Sequence, residues 1–595
     1  MRSFVLPGLL LLLIHTSANA QGLLQLEILS PAESATSKGT LQVEVKVSST
    51  YQLDTVTAQV DTLSAPLWRT GTGTWIVTLD LGTLTWGAHT LTVRARDVTG
   101  QMAELSRSFK LDRPPTITLT QPAWDSAVVS TIVVEASCQD DDPGGCSGTL
   151  EAQVVRYQIP DATEPVLASG GTSLSAPLDL SSFDNGVWWL IVRFRAPDNT
   201  LLSFTSRRIY VARPPRYQFV GEAPAALIDF DSERFLAARD AEEFFLQRRD
   251  TGAIEQHYVL TQGVPNGDLL VGALTPKGAI FSGEDARLYE WREGGLIDHG
   301  TDLRFIVQGS WVAIGDTLRH ETTGHTWTPP YGIAALSPRG DVAAVAKVSG
   351  LHGITLFRAG VVQKVADIFD VNGYVQALAT DGYHVAWVER PAVGEDEVIN
   401  LSEGGGTKQR LTENGFLYYG YTLFVNEGYV AFFNGPDVQR QVFLRRPDGL
   451  VQQLSFFSKS VAAEALSPTG EVMLDSDGRR YLGRPEQLPL EIGPAFGRLK
   501  FYQGEWYLMA GRGLFKLAFE TGERPAPGPV WTPPMGDADS EGGTPGNDGG
   551  VSDDPGTTPE TPHHSCAAGG SAAPSLLGWG GVLVLLALRP RHRLR

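Results

Sequence analysis

Cysteine is scarce in this chain, which has three among its 595 residues. Two of them, Cys138 and Cys146, flank an acidic loop, and no further Cys or His stands beside them to complete a metal site. In an oxidising compartment this pair is expected to form a disulfide, which contributes about 2–3 kcal/mol by closing a small loop. Two free thiols are the alternative.

Basic residues are too few for a nucleic-acid surface. The sequence has 48 Lys and Arg against 67 Asp and Glu, a formal net charge of −19. Attraction to phosphates needs clustered Lys and Arg, so no nucleic-acid partner is expected. An acidic surface of this kind favours solubility outside the cell and can attract divalent cations.

Recognisable catalytic motifs are absent too. There is no Gly-x-Ser-x-Gly elbow, no P-loop and no Gly-x-Gly-x-x-Gly that opens a helix. His320 and His325 flank a glutamate but stand five residues apart, whereas a zinc-protease helix needs four. Residues 216–520 lack helical periodicity, so an added α/β catalytic domain is not expected. The sequence therefore predicts that the protein is not an enzyme. The alternative is an enzyme whose catalytic acids come from distant positions, because such acids show no characteristic spacing in the sequence.

A long apolar run near the N-terminus has the features of a secretion signal. Residues 4–14 are apolar and follow Arg2, and the small residues Ala18 and Ala20 suit a signal peptidase. We therefore predict a signal peptide over residues 1–20, cleaved after Ala20. A buried N-terminal helix is disfavoured because the run has no polar face.

A second apolar run lies near the C-terminus, at residues 575–588, and arginines follow it. It is shorter than the roughly 20 residues that span a bilayer, so it is either a short transmembrane helix or a processed sorting signal. Cys566, small residues and Pro574 precede it. This order resembles the myxosortase-type (MYXO-CTERM) C-terminal sorting tail over about thirty residues, 564–595, although the family usually has Cys-Gly-Cys. The resemblance implies that a sorting enzyme acts at Cys566 and that the C-terminus tethers the exported protein at the cell surface or outer membrane.

The first two hundred residues after the signal contain a duplicated module. Arg-Pro-Pro at residue 113 recurs at residue 213, and prolines there mark domain joints. Residues 21–112 and 113–212 each end in a long alternating stretch, Gly87–Asp97 and Gly186–Arg195, offset by 99 residues. Such blocks of short strands have the size of immunoglobulin-like (Ig-like) sandwiches. The first ending is similar to that of bacterial Ig-like repeats, which implies fold and says little about function.

Residues 216–520 repeat a different unit, Ala-Leu-Ser-Pro-x-Gly or a variant of it. The clearest copies contain Leu274, Leu336, Leu378 and Leu466, and weaker copies start near Leu227, Phe305, Leu423 and Leu499. The last copies follow one another at 42–45 residues, a spacing typical of propeller blades. The motif resembles the blade turn of TolB-like and WD40-like β-propellers, so we expect six to eight blades. An irregular double sandwich is the alternative.

Residues 521–563 are rich in Pro, Gly, Asp, Glu and Thr and are predicted to be a disordered linker. The expected fold is therefore all-β: two tandem Ig-like sandwiches and a propeller, followed by the linker and tail.

Two acidic turns and one aromatic pair are candidate binding residues. Calcium favours several oxygen ligands, so Asp140–Asp142 could bind it, as could Asp475 with Asp477; solvated turns are the alternative. No other cofactor is expected. Trp188 and Trp189 are adjacent in a predicted strand and must face opposite sides. One should fill the core, and the other is an interdomain contact, a glycan platform or a protein anchor.

Together these features predict a non-catalytic cell-surface protein that binds a surface protein or glycan, or acts as an envelope scaffold. The alternative is a secreted hydrolase or lyase with its site in the propeller channel.

Overall fold

A computed structural model describes residues 24–524, apart from residues 72, 161–162, 240–241, 261–270, 283–286, 294, 302–303, 349–350, 359–360, 369–373, 391–396, 413–422 and 436–438. Within the described residues the regular elements are β-strands, so the all-β prediction is confirmed. In that part of the chain no helix is long and apolar enough to cross a membrane. The signal peptide with Ala20, the tail with Cys566 and the linker beyond Arg524 lie outside the described residues.

The first sandwich is built from short strands that alternate between buried and exposed residues. Its strands are Gln25–Ser30 (β1), Ala35–Ser37 (β2), Thr40–Ser48 (β3), Leu53–Val60 (β4), Leu63–Pro66 (β5), Trp68–Arg69 (β6), Thr74–Asp80 (β7), Gly87–Asp97 (β8) and Met102–Leu111 (β9). They form two sheets, in the orders β1-β3-β7-β6 and β2-β9-β8-β4-β5. Val43 and Val45 from one sheet and Leu91 and Val93 from the other belong to one fully buried core, the Ig-like arrangement that the period-two pattern predicted.

The second sandwich repeats this plan. Its strands are Thr116–Gln121 (β10), Ser126–Val128 (β11), Thr131–Gln139 (β12), Thr149–Val155 (β13), Ala168–Gly170 (β14), Ser173–Asp179 (β15), Gly186–Arg195 (β16) and Leu201–Val211 (β17). They form sheets in the orders β10-β12-β15 and β11-β17-β16-β13-β14. A short second strand pairs in parallel with the last strand in both copies, as β2 with β9 and β11 with β17. The predicted disulfide is confirmed: Cys138 on β12 is bonded to Cys146.

The described chain divides into two compact units. One lies within Met1–Pro122, Val133–Leu178 and Trp189–Arg207, and the other within Ala123–Ile132, Asp179–Trp188 and Arg208–Arg595. The second sandwich contributes residues to both units.

The remaining strands form a β-propeller. They are Tyr217–Glu222 (β18), Ala226–Phe230 (β19), Arg234–Arg239 (β20), Glu243–Arg248 (β21), Ile254–Val259 (β22), Val271–Thr275 (β23), Gly278–Ser282 (β24), Arg287–Arg292 (β25), Gly295–Thr301 (β26), Phe305–Gln308 (β27), Trp311–Ile314 (β28), Thr317–His320 (β29), Thr326–Trp327 (β30), Ala335–Leu336 (β31), Val342–Val348 (β32), Leu351–Arg358 (β33), Val361–Ile368 (β34), Tyr374–Thr380 (β35), His384–Arg390 (β36), Val398–Glu403 (β37), Gln409–Arg410 (β38), Phe424–Asn426 (β39), Tyr429–Asn434 (β40), Gln441–Arg445 (β41), Val451–Gln453 (β42), Ala462–Leu466 (β43), Val472–Ser476 (β44), Arg479–Gly483 (β45), Leu490–Pro494 (β46), Arg498–Tyr502 (β47), Glu505–Ala510 (β48) and Gly513–Leu517 (β49).

Within the described ranges these strands make eight four-stranded antiparallel sheets, the upper end of the predicted range. Blade 1 is β19–β22, blades 2 to 7 follow in groups of four up to β43–β46, and blade 8 has the order β18-β49-β48-β47. Each leucine or phenylalanine quoted for the repeat lies in, or next to, the first strand of its blade. The second strands have neighbouring blades on both faces, and they are accordingly runs of buried residues, as in Tyr429–Asn434.

The ring closes through strands from the two ends of the domain. Tyr217 on β18 pairs with Leu517 on β49, and Phe219 pairs with Phe515. One buried core also joins blade 1 to blade 8, with Phe230 and Leu514 among its fully buried members. This closed ring rules out the irregular double sandwich. Because β18 and β47–β49 belong to one sheet, the pairing joins the two ends of the domain within a single blade.

Residues just after the last strand are still attached to the propeller. Glu523 pairs with Arg216, which precedes β18, and the Arg524 Nη2 atom lies 2.7 Å from a carboxylate oxygen of Glu471. The predicted linker began at residue 521. Its composition is that of a disordered segment, but three ion pairs, made by Glu523 and Arg524, hold its first four residues.

Candidate functional site

The recurring motif of the propeller forms the turns between the first and second strands of each blade. Because the first strands of all blades run in the same direction along the central channel, these turns gather at one end of the channel. We call them the inner turns. They bring together residues that are about 40 positions apart in the sequence, and several of their charged groups are buried, among them Asp341, Asp381 and Glu471.

In three blades the glycine of the motif is required by the preceding blade. Gly340, Gly382 and Gly470 have φ values of 88°, 97° and 80°, a region that residues with a Cβ rarely adopt. A Cβ on Gly340 would overlap the Trp311 indole, and one on Gly470 would overlap the Tyr429 ring. In blades 4, 5 and 7 the motif glycine therefore lets the inner turn lie directly against the previous blade.

Polar groups of the inner turns, and of the strand end just before one of them, also bind to the following blade. An Asp229 carboxylate oxygen accepts a hydrogen bond from the Leu274 backbone N–H at 2.8 Å, which links blades 1 and 2. Asp381 accepts one from the Gly428 N–H at 2.7 Å, which links blades 5 and 6. Glu471 accepts one from Trp506 Nε1 at 2.9 Å, which links blades 7 and 8.

Lys500 completes the ring between blades 8 and 1. Its Nζ atom lies 2.6 Å from Asp229 Oδ1 and donates to the Phe230 carbonyl at 2.8 Å. Lys500 Nζ also lies 5.0 Å from the centroid of the Phe230 ring. Because Asp229 is buried, its charge depends on these donors for stabilisation.

We expect Lys500→Met to destabilise the protein by about 1–3 kcal/mol, because it removes a charged donor from a buried carboxylate. The measurement is the free energy of unfolding from urea denaturation. The matched control is Lys459→Met, which removes an ion pair to Asp477 whose side chains are 63% and 65% exposed; its cost should stay within about 0–1 kcal/mol. Equal costs for the two variants would show that Lys500 does not stabilise ring closure.

Three carboxyl groups of neighbouring inner turns, Asp341, Asp381 and Glu427, have pKa values shifted in opposite directions. Burial raises the pKa of Asp341 and of Glu427, the latter against the opposing charge of Arg339. Burial also acts to raise the pKa of Asp381, but hydrogen bonds from His384 and from the Gly428 backbone outweigh it, so the pKa of Asp381 is lowered. Carboxyl groups with pKa values pushed apart are what a general acid and base require.

The surroundings of these groups make catalysis unfavourable. Asp381 Oδ1 accepts hydrogen bonds from the backbone N–H groups of Tyr383 and His384, at 3.0 and 2.8 Å. Its Oδ2 accepts the Gly428 N–H and contacts the His384 ring. Asp341 is buried with the Ser337 hydroxyl donating to it at 3.1 Å. Glu427 is the partly exposed one of the three carboxyl groups, and neither of the other two is accessible to act with it. The three groups therefore stabilise the inner turns.

In the two acidic turns predicted as possible calcium sites, most of the carboxylates form ion pairs or accept backbone hydrogen bonds. Asp141 pairs with Arg113 at 2.6 Å, and Asp142 accepts the Gly144 N–H at 2.8 Å. Burial, reinforced by the charge of Glu464, raises the pKa of Asp475, and Asp477 pairs with Lys459. Asp140 accepts the N–H of Asp142 at 3.3 Å. In the part of the chain that the structure describes, no three His, Cys, Asp or Glu side chains are grouped so that they could hold a metal ion.

The tryptophan pair lies on β16 with its two members in different environments. Trp188 is buried, stacks edge-on against Phe183 and donates its Nε1–H to the Asp184 carbonyl at 2.8 Å. Trp189 is half-buried. Neither side chain stands out from the surface as a binding platform would.

The histidine pair rejected as a zinc motif does lie on a hairpin. His320 ends β29, and its backbone N–H donates to the His325 carbonyl across the turn. The intervening Glu321 is fully buried and pairs with Arg319 at 2.5 Å. Arg319 also pairs with the buried Glu290 of the preceding blade. The sequence carried no signal for this network, because its members come from different blades with no fixed spacing.

Comparisons with known proteins add little beyond fold. No family model and no curated protein matches the chain. Among solved structures, TolB from Acinetobacter baumannii is 15% identical, with 56% of this chain and 77% of that one covered and a TM-score of 0.22. Fibronectin(III)-like modules of Clostridium thermocellum CbhA are 17% identical over 32% of this chain and 95% of theirs, with a TM-score of 0.17.

An endo-beta-1,4-mannanase from Thermotoga petrophila is 17% identical over 15% of this chain, with a TM-score of 0.15, and the chain covers only 20% of its length. At such TM-scores and identities, no activity of these proteins can be inferred for this chain. The class of the protein rests on its own strand order, which in the residues that the structure describes gives two Ig-like sandwiches and a closed eight-bladed propeller.

Proposed function

We propose that this chain is a non-catalytic binding protein of the cell surface, exported through its N-terminal signal and tethered by its C-terminal tail. The observation that carries the proposal is the use of the propeller's buried acids. Asp229 at the end of β19, and Asp381 and Glu471 in inner turns, each accept a hydrogen bond from the next blade. A ring built in this way is suited to holding a surface in place rather than to moving protons.

Export and tethering rest on the two ends of the sequence. The signal-like run at residues 4–14 and the tail around Cys566 support them. The disulfide between Cys138 and Cys146 is in keeping with an oxidising compartment. The binding partner is a protein or glycan of the envelope or of another cell.

A hydrolase or lyase that works in the propeller channel is the competing proposal. It needs two accessible carboxyl groups with different pKa values. Of the three inner-turn carboxyl groups discussed above, Glu427 has the raised pKa and partial exposure of a general acid. Asp381 has the lowered pKa of a base, but it is buried and accepts several hydrogen bonds. This is why binding is the better-supported function.

The test is a sedimentation assay of the full chain with isolated outer-membrane and cell-wall fractions. We expect saturable and reversible co-sedimentation, which a matched acidic protein without such domains does not show. Retention that never saturates, or no retention on any fraction, would contradict a binding function.

A further inference from the structure

The two outer faces of the first sandwich differ in how their polar side chains are used. On the β2-β9-β8-β4-β5 sheet these side chains pair with one another. Thr92 bonds to Ser106 at 3.0 Å, and Arg94 binds both Glu104, at 2.7 Å, and Gln59, at 3.1 Å. That face is already satisfied by its own neighbours.

The opposite sheet, β1-β3-β7-β6, has unpaired polar groups around an exposed indole. Gln42, Glu44 and Thr78 have no side-chain hydrogen bond or ion pair with any other residue that the structure describes. Trp68, on the two-residue edge strand β6, is 70% exposed, and the adjacent Ile76 is 36% exposed. We call these five residues the Trp68 face.

The strand register places the members of the Trp68 face side by side. Glu44 pairs with Ile76, and Ile76 pairs with Trp68, so these three form one row across the sheet. Gln42 and Thr78 form the next row on the same face. With strands about 4.8 Å apart, an amide, a carboxylate and a hydroxyl all lie within roughly 10–12 Å of the indole.

This combination matches the chemistry of a sugar ring. A pyranose has an apolar C–H face that packs on an indole, and hydroxyl groups around its edge that need donors and acceptors. Glu44 can accept charge-assisted hydrogen bonds from such hydroxyls. A protein partner fits less well, since stable protein interfaces bury about 800 Å² per side around several clustered anchors, and this face has a single aromatic residue.

We propose that the Trp68 face binds a neutral polysaccharide, with Trp68 as the stacking platform and Gln42, Glu44 and Thr78 as hydrogen-bonding groups. This inference rests on the proposed binding function and gives it a ligand class. The net charge of −19 and the carboxylate beside Trp68 oppose polyanionic chains.

The second sandwich provides an internal comparison. Its equivalent sheet, β10-β12-β15, has no fourth strand among the described residues and therefore no counterpart of β6. None of the three strands contains an aromatic residue. The duplicated module thus carries the platform in one copy only, which is what a ligand-specific surface would show and a structural requirement of the fold would not.

Affinity electrophoresis of the full chain tests the proposal. Native gels contain soluble xylan, galactomannan, laminarin or dextran, and polygalacturonate serves as the anionic polymer. We expect at least one neutral polymer to retard the protein, and Trp68→Ala to weaken that affinity by about tenfold or more. Glu44→Ala should weaken it less. The control is Tyr157→Ala, which removes an equally exposed aromatic side chain (72%) from the second sandwich and should change nothing.

Three results would overturn the inference. They are retardation by no neutral polymer, retardation by polygalacturonate alone, and equal retardation of Trp68→Ala and the parent chain. In each case, saturable binding to envelope fractions would still support the proposed function, so the two failures are distinguishable. If Trp68→Ala folds poorly, Glu44→Ala is used in its place, provided that it is as stable as the parent chain. Equal retardation of Glu44→Ala and the parent chain would then overturn the inference.

Discussion

Replacing Glu471 with glutamine should destabilise the propeller by about 3–5 kcal/mol, the range for removing one partner from a buried ion pair. The carboxylate is fully buried between blades 7 and 8. Arg484 approaches it at 2.8 Å and Arg524 at 2.7 Å, and Trp506 donates to it at 2.9 Å. The glutamine keeps the side-chain volume but removes the anion that Arg484 and Arg524 share, and Arg524 keeps only its ion pair with Glu505.

Urea denaturation of the full chain measures this cost. The control is Glu491→Gln, which breaks an ion pair to Arg479 on the surface, where both side chains are about half exposed; that change should cost about 0–1 kcal/mol. A Glu471→Gln cost within the control's range would contradict the role assigned to the buried carboxylate.

The same variant has an expected pH dependence. Burial acts to raise the pKa of Glu471, but the hydrogen bond and charge of Arg524, with Arg484 and Trp506, outweigh it, so the pKa is lowered in the folded protein. A lowered pKa means that the ionised group stabilises the fold above its ordinary value of 4.5 and loses that contribution as the pH falls through the folded value. The gap between parent and variant should therefore narrow below pH 4.5. A constant gap would contradict this linkage.

Replacing Gly340 with alanine should cost about 2–5 kcal/mol. About 1–2 kcal/mol comes from forcing a residue with a Cβ into left-handed backbone, and about 1–3 kcal/mol from overpacking against the Trp311 indole. Gly504→Ala is the matched control, since Gly504 has a φ of 84° in the inner turn of blade 8 and open space around its missing Cβ. It should show the backbone cost alone.

Thermal and urea unfolding of both variants measures the difference. If Gly340→Ala and Gly504→Ala cost the same, the motif glycine is a turn residue only. A larger loss for Gly340→Ala, partly relieved by adding Trp311→Leu, would show that blade-to-blade contact also requires it.

The sequence predicted much of the fold because the repeat unit is local. The spacing around Leu336, Leu378, Leu423 and Leu466 reflects strands and turns of a single blade, and the weaker copies proved to be blades as well. Strand β18 could not be assigned in this way. Its partner β49 is about 300 residues away, with Tyr217 opposite Leu517, and no local pattern specifies that pairing.

The candidate site was less predictable for the same reason. Glu471 belongs to the repeat, but its partners come from later segments, and Arg524 stands where composition indicated a linker. The composition of a segment describes many residues together, whereas an ion pair depends on one residue such as Arg524. Trp68 could not be predicted as a binding residue either, because the sequence around an exposed tryptophan on a short edge strand does not differ from that around a tryptophan in the core.

We propose that this protein binds surface material without transforming it. The most direct measurement follows the size of envelope polysaccharides by gel filtration during prolonged incubation with the full chain. If the protein only binds, polymer and protein coelute while the polymer keeps its size and gains no new reducing or unsaturated ends. Progressive shortening of the polymer, abolished by Glu427→Gln, would instead establish a hydrolase or lyase and refute a purely binding function.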